Sequence, residues 1–146
     1  MNATHVFRHM LPATLVSLGL ALGPAAMAAR SPNLPPEQSE GAVVYRSGGI
    51  GEDESMAMRR IAVNYPLELE FLQKVPGGHE EYVADQDVVI KDDAGRTVLH
   101  TRADGPFLLA RLPPGRYTIA ATLDGRSLNR VATLAPQRHE RIVFAW

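Results

Sequence analysis

Cysteine is absent from the 146-residue chain. No disulfide can staple the fold, and no thiolate can hold a metal or accept a lipid. A basic surplus is missing as well: 15 Lys and Arg stand against 16 Asp and Glu, for a formal net charge of −1. That balance excludes the cationic footprint a nucleic-acid binder needs. Aromatic residues make up only 6% of the chain. No apolar run reaches the ~20 residues that cross a bilayer. What is abundant is 12 Gly and 11 Pro, a composition suited to short strands joined by tight turns.

Residues 1–29 carry the pattern of a secretory signal peptide. Arg8 lies with His5 and His9 in a short leading region, an apolar run follows from Leu11 to Leu22, and small residues surround Ala26-Met27-Ala28. Cleavage is expected after Ala28 or Ala29, with an uncleaved anchor helix as the alternative. The expected destination is a bacterial periplasm or the exterior, with no membrane span left after cleavage. The mature part, roughly 115 residues, must then be held by its own core.

The rest divides into a linker with one short helix, residues 30–65, and a β-domain, residues 66–146. Arg30 to Gly41 holds Pro32, Pro35 and Pro36 and no apolar period, and so reads as a linker. Ala42-Val43-Val44-Tyr45 reads as a short edge strand. Ser47-Gly48-Gly49-Ile50-Gly51 lacks the Gly-Lys-Ser/Thr ending of a phosphate loop, and Glu52-Asp53-Glu54 follow it with the wrong charge. Glu52 to Tyr65 reads as a helix, with acids in its first turn, Arg59-Arg60 later, and Met58, Ile61, Ala62 and Tyr65 on one face. Pro66 ends it, and its apolar stripe is expected to lie on the β-domain as a lid.

From Pro66 the period becomes two. Leu67, Leu69 and Phe71 alternate with Glu68 and Glu70, an expected solvated acidic face. Further strands are expected at Tyr82–Ala84, Val88–Lys91, Thr97–Thr101, Ser127–Leu134 and Glu140–Trp146. Asp104 to Gly125 reads as turn, strand, tight Pro113-Pro114-Gly115 hairpin turn, strand, and an Asp124-Gly125 turn. Seven or so strands at this spacing form an all-β, antiparallel sandwich.

Asp87-Val88-Val89-Ile90, Gly95, Asp104-Gly105-Pro106-Phe107 and Leu112-Pro113-Pro114-Gly115-Arg116-Tyr117-Thr118-Ile119 together resemble the carboxypeptidase regulatory-like domain. The resemblance covers about Leu67 to Trp146. It implies a prealbumin-like (transthyretin-like) Greek-key sandwich of seven antiparallel strands, standing alone, exported and non-catalytic, and it names no substrate. The transthyretin-like family includes a hydrolase of 5-hydroxyisourate, marked by a C-terminal Tyr-Arg-Gly-Ser; here the chain ends Val143-Phe144-Ala145-Trp146.

The candidate sites are few. His79, His100 and His139 follow no metal-ligand spacing, and Asp85, Asp87, Asp92 and Asp93 lack the periodicity of a calcium loop. Ser47, Ser55 and Ser127 stand in no nucleophile elbow. No catalytic residue, metal or cofactor is therefore assigned. Glu52, Asp53 and Glu54, with Glu68 and Glu70, form a candidate surface for a basic protein partner. Tyr45, Tyr82 and Trp146 form a candidate aromatic platform for polysaccharide. The expected function is a non-catalytic, protein-binding or structural module, with a carbohydrate-binding module as the alternative and a hydrolase third.

Overall fold

Apolar side chains at every second position give each strand one face to bury, and two facing sheets do so together. The computed structural model describes residues 33–146; the expected signal peptide and residues 30–32 lie outside them. Among the described residues there are ten strands and one helix. They are β1 (Gln38–Glu40), β2 (Val43–Gly48), α1 (Glu52–Ala62), β3 (Leu67–Lys74), β4 (Glu80–Tyr82), β5 (Asp87–Asp92), β6 (Thr97–Arg102), β7 (Phe107–Arg111), β8 (Gly115–Leu123), β9 (Arg126–Leu134) and β10 (Glu140–Ala145).

One sheet has the order β1-β2-β7-β3-β10, with β4 paired to β3 beside β7, and the other the order β6-β5-β8-β9. The all-β sandwich expected from the alternation is present. Its strand count is ten rather than seven, and not every pairing is antiparallel. β10 runs parallel to β3, Glu140 opposite Leu67 through Ala145 opposite Leu72.

The interior joins both sheets through Val43, Tyr45, Leu67, Leu69 and Phe71 on one side and Val88, Ile90, Leu99, Tyr117 and Ile119 on the other. Phe71, Phe144 and Trp146 form its aromatic centre, with ring centroids 5.8 to 6.4 Å apart. A second, smaller cluster lies outside this sandwich. There Met58, Ala62 and Tyr65 pack on Phe107 and Leu109, the β7 residues that alternate with inward-facing Leu108 and Ala110. The helix is thus a lid on the outer face of the larger sheet, as its stripe predicted. It stops at Ala62 rather than Tyr65, because Asn64 and Tyr65 donate to Ile61 and Ala62 at 2.9 Å in tighter three-residue turns.

Four expectations are corrected. The Pro113-Pro114-Gly115 turn joins no hairpin: β7 and β8 belong to different sheets, and the turn carries the chain across the sandwich, where Tyr117 donates its hydroxyl to the Pro113 carbonyl at 2.8 Å. The strand at Val43 is interior, flanked by β1 and β7. Residues 38–40 of the expected linker form a strand and pair with it. Finally, Glu68 and Glu70 are only 6% and 4% exposed, because the His139 ring covers the first carboxylate and the Arg141 guanidinium the second.

The Asp124-Gly125 turn is as expected. Both residues have positive φ, 48° and 77°, the geometry that matches a two-residue hairpin to the twist of β8 and β9.

Candidate functional site

The outer face of the larger sheet carries the polar chemistry of the molecule. Glu70 accepts hydrogen bonds from the Tyr82 hydroxyl at 2.9 Å and from the Arg141 guanidinium. Tyr82 in turn accepts from Arg59 at 2.5 Å. The Arg59 guanidinium also lies 5.3 Å from the Tyr82 ring centre and 5.5 Å from that of Phe107, within cation–π range. This chain of contacts ties α1 to β3 and β4. Beside it, the His139 ring meets the Glu68 carboxylate at 2.8 Å and the Tyr65 carbonyl at 2.9 Å.

A third group lies just past the C-terminal end of the helix. The Tyr65 hydroxyl donates to Glu37 at 2.9 Å and accepts from Arg46 at the same distance. Arg111 stacks 4.2 Å from the Tyr65 ring centre. The Tyr65 hydrogen bond, then the Arg46 and Arg111 charges, hold the Glu37 carboxyl below its usual range. That effect stabilises the fold above the ordinary carboxylate range and fades as pH falls through the lowered value.

Tyrosine behaves in the opposite sense. Burial raises Tyr65, Tyr82 and Tyr117, reinforced by Glu37, Glu70 and Asp92 respectively. A raised phenol is protonated in the fold when the unfolded chain has already ionised, so stability is full below pH ~10 and falls as pH climbs through the raised values. Phenolate absorbance at 295 nm is expected to lag, at pH ~10, behind that of the guanidinium-unfolded chain, the remainder appearing with alkaline unfolding. Coincident titration curves would contradict the burial of these phenols.

The candidate surface residues do not act as one group. Tyr45 and Trp146 are buried in the sandwich, 6% and 7% exposed. Tyr45 bonds through its hydroxyl with Gln38 and Thr101, and Trp146 donates its indole N–H to the Arg126 carbonyl. Tyr82, 45% exposed, lies on the other side of the larger sheet, so the three rings form no sugar platform. Glu54 accepts the Gly49 N–H at 2.6 Å and thus pins the glycine loop. Glu52 and Asp53 stand exposed at the start of α1.

Glu52 and Tyr82 do meet at one place. A groove of about 460 Å³ runs between the Gly49-Ile50-Gly51 turn, Glu52 and Ser55 of α1, Tyr82-Val83-Ala84 and Pro106. Ile50, 64% exposed, stands on its lip. The sequence reading named Glu52 and Tyr82 and missed Ile50, Val83, Ala84 and Pro106. The one signal available was an isolated isoleucine between two glycines.

Several of the remaining sequence candidates have structural partners. Asp85 pairs with Arg102, Asp87 with His100 and Asp92 with Arg96. Ser47 accepts the Asp104 N–H at 2.8 Å, and Ser127 bonds to Thr122. No three His, Asp or Glu side chains converge on a metal position among the described residues. The chain matches no protein-family model and no curated protein.

Proposed function

We propose that the chain is an exported, non-catalytic β-sandwich module that binds a protein partner in the bacterial periplasm. The observation that carries this reading is a division of labour. Glu68, Glu70 and His139, the ionisable groups best placed for chemistry, are held in contacts within the fold, while the exposed apolar side chains Ile50 and Tyr82 border one open groove. Large exposed apolar groups around a concavity favour recognition over solubility.

The finer fold assignment belongs to this proposal too. A prealbumin-like Greek key of the carboxypeptidase regulatory-like kind agrees with the crossing made by Leu112-Pro113-Pro114-Gly115. The parallel β3–β10 pair and the three elements before Pro66 are departures from the pattern its residues imply.

A photo-reactive amino acid tests the reading in living cells. Placed at Ile50 it should crosslink one envelope protein. Placed at Thr118, on the outer face of the smaller sheet, it should not. The same preparation fixes location: the protein should fractionate with the periplasm and begin at Ala29 or Arg30. Equal capture at both positions, repeated absence of any product, or turnover of a substrate abolished by a single His or Ser substitution would each overturn the proposal.

A further inference from the structure

The groove beside Ile50 lies where a strand is missing. β7 pairs with β2 on one side and β3 on the other, Phe107 opposite both Gly48 and Glu70. Beyond Phe107 the chain leaves this row: Phe71 donates to the Pro106 carbonyl at 2.9 Å, and Gly105 turns off against Gly48. A Cβ at Gly105 would stand 2.4 Å from the Gly48 carbonyl, so only glycine allows that crossing. β4 then takes over the same row, with Tyr82 opposite Leu72.

The row on the other side of β7 has no such continuation. β2 would run on alongside β4, but at Gly49 and Gly51, with φ of 100° and 84°, the chain turns away into α1. Glu54 fixes that turn through the Gly49 N–H. The space left beside β4 is the groove itself.

The edge that faces it has backbone groups to offer. Leu72 gives its carbonyl to the Trp146 N–H, on the β10 side, while Val83 donates to the Phe71 carbonyl at 3.2 Å. In an antiparallel ladder successive residues point their N–H and C=O to opposite sides. Val83 therefore faces β3, and Tyr82 and Ala84 turn their backbone groups toward the groove. Ile50, the Tyr82 ring and Glu52 line the slot; the exposed acid Asp53 follows Glu52 on α1, and the exposed acids Glu80 and Glu81 precede Tyr82 on β4.

We infer that this slot receives an extended segment of the partner as an added strand. The segment pairs with Tyr82 and Ala84 of the β4 edge, sets an apolar side chain against Ile50 and Pro106, and carries Lys or Arg toward the four acids. This rests on the protein-binding reading and names the chemistry of the partner. Backbone pairing supplies affinity in such strand addition, and alternate side chains supply specificity. The acids make the association salt-sensitive.

The probe is a blocked peptide of about seven residues alternating Lys and Val, a typical strand length, added to the isotope-labelled full chain. Amide shifts are expected at Ile50, Tyr82 and Ala84 and not along β9. Replacing the central Val by Pro, which removes the donor, should weaken binding about tenfold, as should exchanging Lys for Glu. In the protein, the double change Glu80→Lys and Glu81→Lys, both side chains exposed, should abolish the Lys-over-Glu preference.

Equal binding of the Pro peptide, or shifts confined to another edge, would overturn the inference. A dimer of the protein alone, with its interface at β4, would instead assign the slot to a second copy and overturn the partner segment. If the peptides fail while a crosslinker at Ile50 still captures an envelope protein, strand addition is wrong and partner binding survives. If Ile50 captures nothing either, both fall.

Discussion

Replacing Ile119 by Asp is expected to unfold the protein, while the same change at Thr118, its neighbour, is expected to leave the melting temperature within a few degrees. Ile119 is fully buried in the middle of β8, opposite Ile90 on β5. Losing that side chain forfeits about 1.5–3 kcal/mol of apolar burial. The carboxylate that replaces it must be buried without a cationic partner or be protonated at further cost. Together these approach the 5–15 kcal/mol that holds a small domain folded. Thr118 faces outward, opposite exposed Lys91. An aspartate there gains a cross-strand ion pair of about 0.2–1 kcal/mol, which offsets its poor strand propensity. Circular dichroism melts of the two variants decide the register. Because side chains alternate with period two, a β8 displaced by one residue would exchange the two results, and equal losses would mean that β8 has no single buried face.

The same alternation explains what was legible from sequence. β3, β5 and β8 announce themselves through Leu67-Leu69-Phe71, Val88-Ile90 and Tyr117-Ile119-Ala121, and Asp124-Gly125 specifies its hairpin through backbone geometry alone. Pro113-Pro114-Gly115 is different in kind. A tight turn fixes only the change of direction, and whether the next strand joins the same sheet or the facing one depends on which surfaces remain to be buried. The interior position of β2 was hidden for a related reason: a short apolar run looks alike at an edge and in the middle.

The site was less legible than the fold. Tyr45, Tyr82 and Trp146 share a chemistry in sequence, but two face the interior and one the solvent, a distinction set by their strands' pairing. Glu68 and Glu70 read as solvated because their partners, His139 and Arg141, come from about seventy residues away. The groove has no sequence signature of its own. It exists because two rows of the sheet end at different heights, which is a property of the register between β2, β7 and β4.

Trp146→Ala is expected to destabilise the protein by about 3–5 kcal/mol, the range for removing a large buried aromatic side chain. This variant would have tested a sugar platform had the ring been exposed. Buried as it is, the ring packs 6.4 Å from Phe71 and 6.1 Å from Phe144 between centroids, and its N–H reaches the Arg126 carbonyl at 2.9 Å, where β9 begins. One side chain thereby joins β3, β10 and the start of β9, at the point where the larger sheet meets the smaller one. Trp146→Phe should cost less, since it keeps an aromatic ring beside Phe71 and Phe144 and gives up the hydrogen bond to Arg126, a loss of about 1–3 kcal/mol for the carbonyl left without its donor. As the sole tryptophan of the chain, Trp146 also reports on itself: its emission should be blue-shifted in the folded protein and move to the red at the same denaturant midpoint that circular dichroism records. A red-shifted native spectrum, or an alanine variant that melts with the parent, would place the ring in solvent and return it to the list of binding residues.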